Sequence, residues 1–137
     1  MTLMLGFCLA IVTYGQKINA SKVPATVKAS FNSAYPGVMA KWEKEDGNYE
    51  VNFKKDGIAM SVVIQPNGSI IETESDTRIT DLPAAIASYV GKHYPGKQIK
   101  EASKIINADR SVNYEARVNG KDLIFDANGK FIKEAKD

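Results

Sequence analysis

The chain has 137 residues, with 18 basic and 16 acidic side chains and a formal net charge of +2. A hydrophobic fraction of 44% and a charged fraction of 25% are typical of a folded globular protein and exclude an intrinsically disordered one. Because the two signs of charge are interspersed and no basic patch stands out, we expect no nucleic-acid partner.

The first fifteen residues form an apolar, uncharged segment. The run 3–12 is too short to cross a bilayer as a helix. Thr13 and Gly15 are small residues, placed as a signal peptidase requires for a cut before Gln16. Residues 1–15 are therefore predicted to be a signal peptide, and its removal would leave a periplasmic or secreted chain without a stable membrane anchor. A buried N-terminal strand or helix is the alternative interpretation.

The only cysteine, Cys8, lies within this apolar segment. The mature chain would then contain no thiol, and it could form neither a disulfide nor a cysteine metal site. We therefore expect the fold to be held together by its hydrophobic core alone.

The next part of the chain predicts one helix and four strands. The polar segment 16–22 is expected to be mobile. Apolar residues then recur every four positions from Val23 to Tyr35, which predicts an amphipathic helix that ends at Pro36-Gly37. Alternating residues and turn sequences such as Asn67-Gly68 predict the strands that follow. These strands are expected near residues 39–44, 49–54, 58–65 and 69–74.

The same order of motifs returns in the second half of the chain. Tyr35-Pro36-Gly37 is repeated as Tyr94-Pro95-Gly96, and Asn67-Gly68 as Asn128-Gly129. The second helix is predicted over Leu82 to Tyr94. Its strands are expected near residues 98–106, 112–118, 123–126 and 131–134. Such internal similarity indicates one supersecondary unit used twice.

The repeat predicts an α+β fold. Residues 16–80 and 81–137 would each be a helix followed by a four-stranded antiparallel meander, together forming one compact domain. Because one short helix cannot cover a four-stranded sheet, the two repeats are expected to join into one antiparallel sheet of about eight strands. Both helices would lie on one face, and twist would leave the opposite face open and concave.

These motifs resemble those of the PepSY-like family of small exported bacterial proteins, which is described as β-lactamase-inhibitor-like. The first repeat carries them as Val23-Pro24, Tyr35-Pro36-Gly37, Tyr49-Glu50-Val51-Asn52-Phe53 and Pro66-Asn67-Gly68. The second repeat carries Leu82-Pro83, Tyr94-Pro95-Gly96, Tyr114-Glu115-Ala116-Arg117-Val118 and Asp126-Ala127-Asn128-Gly129. The resemblance implies an exported fold of tandem units whose curved sheet offers a binding surface, and it implies no catalytic residues.

Two groups of residues are predicted to contact a protein or peptide partner. The first occupies the solvent-facing positions of the second strand in each repeat: Glu50, Asn52, Lys54, Asn113, Glu115 and Arg117. The second lies in the first hairpin of the second repeat, which is about six residues longer than its counterpart: Asn107, Asp109 and Arg110. A loop lengthened in one copy only could serve as a recognition element, and tolerated variation in loop length is the alternative.

Other functions are weighed against this non-enzymatic binding role. A small-molecule carrier would need a pocket between helices and sheet. An enzyme could use the equivalent carboxylates of Glu50 and Glu115 as an acid–base pair, but no nucleophile accompanies them or the sole histidine, His93. Trp42 is expected to point toward the helices, with Glu101 at the matching position of the second repeat. No cofactor and no metal are predicted.

Overall fold

The computed structural model of the chain describes residues 15–135. All of the predicted signal peptide except Gly15 lies outside the described residues. The described residues fall into two compact units, 15–76 and 77–135. Each is considered by itself below.

The first unit contains one α-helix and five strands. Its elements are β1 (Gln16–Ile18), a 3-10 turn (Ala20–Lys22), α1 (Ala25–Ala34), β2 (Lys41–Glu45), β3 (Asn48–Lys55), β4 (Ile58–Ile64) and β5 (Ile70–Asp76). The expectation that residues 16–22 are mobile is wrong. β1 pairs with β2, with Ile18 opposite Trp42, and Ile18 packs against the core, so this short segment gains both backbone hydrogen bonds and apolar contact.

The second unit contains one α-helix and four strands. Its elements are a 3-10 turn (Ile79–Asp81), α2 (Ala84–His93), β6 (Ile99–Asn107), β7 (Val112–Val118), β8 (Lys121–Asp126) and β9 (Phe131–Glu134). The hairpin that joins β6 to β7 is longer than its counterpart in the first unit, as predicted. Seven residues, 106–112, separate the paired Ile105 and Asn113, whereas two, 46–47, separate the paired Glu45 and Asn48.

Consecutive strands pair antiparallel within each unit. Within each unit the described strands follow the order of the chain, β1-β2-β3-β4-β5 in the first and β6-β7-β8-β9 in the second. The predicted α+β class, with tandem repeats of a helix and an antiparallel meander, is therefore confirmed. The strand count exceeds the predicted eight because β1 adds an edge strand to the first unit.

Each helix packs on one face of the strands in its own unit. In the first unit, Val27 and Phe31 of α1 are buried against a cluster that includes Val51, Phe53 and Val62. The ring of Phe31 lies 5.1 Å from that of Phe53 and 5.5 Å from that of Trp42. Trp42 therefore points toward the helix, as predicted. Its structural counterpart is Ala102 rather than Glu101, because Ala102 pairs with Ala116 as Trp42 pairs with Val51.

The core of the second unit is formed by different side chains between its helix and its strands. Ile86 and Val90 of α2 are buried against a cluster that includes Leu123 and Phe125, while Tyr89 stacks on Phe131 with ring centroids 4.7 Å apart. Tyr35 and Tyr94 are half-buried and pack against their respective clusters.

The Asn-Gly turns are the points where each helix docks onto its sheet. Gly129 has φ 85°, and a Cβ built on it would lie 2.9 Å from the Cβ of Ala85 on α2. At the equivalent Gly68, φ is 89° and the carbonyl oxygen accepts a 2.6 Å hydrogen bond from the hydroxyl of Ser30 on α1. Glycine is needed here both for its backbone conformation and for the close approach of the helix.

Both α-helices have ten residues. Within residues 15–135, no helix combines the length and the apolar character needed to cross a bilayer.

Candidate functional site

The face of each unit's strands that lies opposite its own helix is called the outer face of that unit. Strand pairing places directly opposed residues on the same face, so the register defines which side chains share it. In the first unit the outer face contains Lys17, Lys41, Glu43, Glu45, Glu50, Asn52, Lys54, Ala59, Ser61, Val63, Glu72 and Glu74. This surface carries five glutamates within one small unit.

Glu50 occupies the middle of this surface, opposite Glu43 on β2 and Val63 on β4. Alternation along β3 correctly placed Glu50 on the face away from the helix, but the expectation that it is solvent-facing is wrong, since its exposure is only 3%. Alternation assigns a face, whereas solvent access also depends on the strands and side chains that flank the residue. Asn52 is half-buried and Lys54 is exposed on the same strand.

Burial raises the pKa of Glu50 from its ordinary value of 4.5 to about 7, and the neighbouring carboxylates of Glu43 and Glu45 add to the shift. Glu72 raises this pKa further, while the nearby amide of Asn52 opposes the change. Neither carboxylate oxygen of Glu50 has a partner in hydrogen-bonding geometry. A buried charge in such surroundings is unfavourable, so protonation is favoured in the folded state.

Glu43 and Glu45 lie beside Glu50 at the end of β2. Each is half-buried and has one carboxylate oxygen, Oε2, that is buried without a hydrogen-bond partner. Burial, together with Asp46 and Glu43, raises the pKa of Glu45. The backbone of Gly15 passes next to both side chains, because a Cβ built on Gly15 would lie 3.1 Å from Oε2 of Glu43 and 3.6 Å from Oε2 of Glu45. Glu43, Glu45 and Glu50 are called the acidic triad below.

The sequence analysis missed Glu43 and Glu45. Both residues could have been found from the two-residue turn at Asp46-Gly47, in which both turn residues have positive φ. Such a turn fixes the register of the hairpin, and that register sets Glu43 directly against Glu50.

The outer face of the second unit is chemically different. Glu115 lies opposite Ser103 and Ile124, and it is 8% exposed, so the expectation that it is solvent-facing is also wrong. Ile105 and Ile124 are fully buried on this face, although no apolar core was expected there. Arg117 forms an ion pair with Asp122, Nη1 to Oδ2 at 3.2 Å.

The tip of the β6–β7 hairpin is held by its own side chains. The amide nitrogen of Asn107 donates to Oδ1 of Asn113 at 2.6 Å and to Oγ of Ser111 at 3.1 Å. The backbone N–H of Ser111 donates to Oδ1 of Asp109 at 2.8 Å, and hydrogen bonds from Ser111 lower the pKa of Asp109. Arg110 completes the turn with φ 68°. The structure thus brings the predicted residues Asn107 and Asn113 into contact and leaves Asp109 and Arg110 exposed.

His93 lies in the last turn of α2, exposed to solvent. Its ring stacks on that of Tyr89 with centroids 4.2 Å apart, which gives the histidine a packing role at the helix surface. Within the part of the chain that the structure describes, no three histidine, cysteine, aspartate or glutamate side chains are arranged to hold a metal ion.

The chain is similar to one protein family and to solved structures of bacterial proteins. A family model described as "Putative beta-lactamase-inhibitor-like, PepSY-like" matches twice, at residues 11–72 and 65–133. The fold is similar to that of a crystal structure described as "putative periplasmic proteins" from Bacteroides eggerthii, with TM-score 0.74, 14% identity and coverage of 82% of this chain and 87% of that one. It is also similar to a BLIP-like protein from Bacteroides fragilis, with TM-score 0.65, 22% identity and coverage of 81% and 84%. No functionally curated protein matches the chain.

Proposed function

The chain belongs to the PepSY-like, beta-lactamase-inhibitor-like family, and from this premise we propose that it is an exported, non-enzymatic binding protein. Its ligand is a protein or peptide, contacted through the outer faces of the units and the tip of the β6–β7 hairpin. Export is supported by the predicted signal peptide and by the description of a similar fold as periplasmic.

The observation that carries the binding role is the contrast between the two faces of the first unit. The face toward α1 is filled by closely packed apolar and aromatic side chains, as expected of a core that stabilises the fold. The outer face instead buries Glu50 with both carboxylate oxygens unpaired. Such a group costs folding free energy, and costly polar groups of this kind are typical of sites that interact with a ligand.

The packing does not favour the alternative of a small-molecule carrier. The space between α1 and its strands is occupied by the rings of Tyr35 and Phe53, whose centroids are 4.7 Å apart, together with those of Phe31 and Trp42.

Site-specific photo-crosslinking tests the proposed function. A photoreactive amino acid is placed at Lys54 on the outer face, at Ala108 in the hairpin tip, or at Ser33 on the exposed surface of α1, all solvent-exposed positions. Each variant is exported in the native host, irradiated, and analysed by mass spectrometry. We expect one and the same protein to be captured from Lys54 and Ala108 and not from Ser33.

Two results would contradict the proposal. Equal capture of that protein from Ser33 would show that the outer face is not the binding surface. Capture of no common protein from Lys54 and Ala108, in a cell where the variants are correctly exported and folded, would refute the binding role itself.

A further inference from the structure

The two units carry different charges at equivalent positions of their outer faces. The register aligns Tyr49 and Ile64 with Tyr114 and Phe125, which are paired in the same way. Glu50 and Glu115 are then equivalent. Around them the first unit has Glu43, Glu45 and Glu72 where the second has Ser103, Ile105 and Lys133. Because the whole chain has a net charge of +2, this negative surface is a local feature of the first unit.

Lys17 on β1 lies opposite Glu43 on the same face and is solvent-exposed, yet four oxygens of the acidic triad remain buried without a partner. Both oxygens of Glu50 and Oε2 of Glu43 and of Glu45 are buried without hydrogen-bond partners. Carboxylates that converge in a partly desolvated site repel one another, and a cation placed among them would gain the strongest kind of hydrogen bond available to a side chain. A cationic group that reaches these buried oxygens would therefore stabilise this surface.

Geometry decides between a metal ion and an organic cation. Directly opposed residues such as Glu43 and Glu50 have Cα atoms about 5 Å apart, and Glu43 and Glu45 are separated by roughly 7 Å along one strand. A calcium ion needs six or more oxygens at about 2.4 Å, and no such convergence exists among the described residues. A guanidinium group presents five donors in a wide plane and can contact carboxylates that are spread in this way.

We propose that the acidic triad of the first unit receives an arginine side chain of the protein partner. This inference rests on the proposed function and names the chemistry of its partner. Gly15 lies beside Oε2 of Glu43 and of Glu45 and is the last residue of the predicted signal peptide. The predicted cleavage before Gln16 would remove Gly15 and make these two atoms more accessible to a ligand.

The test uses the chain expressed from its full coding sequence and purified from the bacterial envelope, so that the natural processing has taken place. An acetylated tri-arginine amide is titrated at pH 8 and low ionic strength and followed by 1H–15N NMR. We expect the largest shifts at the acidic triad and a weaker affinity for tri-lysine amide. We expect Glu43→Gln and Glu50→Gln each to weaken tri-arginine binding about tenfold, the effect of losing one charge-assisted hydrogen bond. Asp56→Asn, which removes the same charge from an exposed turn of the same unit, should leave the affinity unchanged.

Several results would overturn the arginine site. These are shifts centred elsewhere, an equal loss in Asp56→Asn, or competition by micromolar calcium at the same residues. Unchanged Trp42 fluorescence in the two glutamine variants controls for folding.

The crosslinking experiment separates this inference from the proposed function. If the captured partner binds Glu43→Gln and Glu50→Gln as tightly as it binds the original chain, the binding role stands and the arginine site is wrong. If tri-arginine binds as expected but no common partner is captured, the site stands and the proposed function is wrong.

Discussion

Replacing Glu50 by glutamine should change how the stability of the first unit depends on pH. The pKa of this carboxyl is raised from 4.5 to about 7 in the folded chain. Between these two values the folded state therefore binds more protons than the unfolded state, and stability falls as the pH rises. The destabilisation is absent below pH 4.5 and fully present above pH 7.

The magnitude follows from the size of the shift. One pKa unit corresponds to about 1.4 kcal/mol, so a rise of the pKa from 4.5 to about 7 sets a maximum of about 3 kcal/mol. Relaxation and water penetration around a buried charge reduce this value, and we expect about 2–3 kcal/mol. Glutamine preserves the shape of the side chain and cannot ionise, so Glu50→Gln should be more stable than the original chain by this amount at pH 8 and about equal to it at pH 4.5.

Urea unfolding at pH 4.5, 6, 7 and 8 provides the assay. Trp42 is the sole tryptophan of the chain and is buried in the core of the first unit, so its fluorescence reports the unfolding of that unit. With a typical dependence on urea, the midpoint of Glu50→Gln should exceed that of the original chain by on the order of 1–2 M at pH 8. Asp56→Asn serves as the control and should keep the original pH dependence. An identical pH dependence in Glu50→Gln and the original chain would refute the electrostatic reasoning.

Three further changes test the packing and the hairpin. Gly129→Ala should destabilise the second unit by about 2–4 kcal/mol, because it adds backbone strain and a clash with α2. Gly120 has φ 75° and no atom within 4 Å of a Cβ built on it, so Gly120→Ala should cost only about 1 kcal/mol. Equal losses of stability on thermal unfolding would contradict the docking role of Gly129. Phe31→Ala should cost about 4 kcal/mol through the cavity it leaves, measured by urea unfolding, and a loss below about 1 kcal/mol would show that Phe31 is not a core residue. Asn107→Ala should speed amide hydrogen exchange at residues 108–113 while leaving the midpoint of unfolding unchanged, and unaltered exchange would show that the side-chain network does not order the tip.

The sequence was sufficient to predict the elements and their order, because the relevant signals are local. The four-residue apolar stripe of each helix and the alternation of each strand arise from backbone geometry that neighbouring residues share. The tandem motifs made the repeat visible without any knowledge of the fold. β1 was missed since a three-residue edge strand has too few positions to show a period, and it is defined by its pairing with β2.

The candidate site could be predicted only in part, for a different reason. Alternation placed Glu50 and Glu115 on the correct faces, yet it could not give their burial, which depends on strands distant in sequence. The pairing of Glu43 with Glu50 required the exact register of the β2–β3 hairpin, and the match of Trp42 with Ala102 required the register of two hairpins of unequal length. Each of these errors concerns a contact between strands and none concerns a local preference.

The two cores exchange large and small residues between equivalent positions. The first unit places its large rings on α1, β2 and β3, at Phe31, Trp42 and Phe53, where the second has the small residues Val90, Ala102 and Val118. The second unit compensates from α2, β8 and β9, at Tyr89, Phe125 and Phe131, where the first has Ser30, Ile64 and Ile70. Cores tolerate such exchange when the total volume is preserved.

The need to preserve the volume of the core applies to the side of each unit that its helix covers. It does not act on the outer faces, where nothing in the packing of α1 or α2 requires Glu43 in one unit and Ser103 in the other. The bulges at Val63/Ile64 and Ile124/Phe125 occupy equivalent positions, so the backbones match here, while the charges at the positions of Glu43, Glu45 and Glu72 differ between the units. A difference that folding does not demand is best explained by what the surface contacts, and for this reason the acidic triad, rather than the shared Glu115 position, is where partner specificity should be sought.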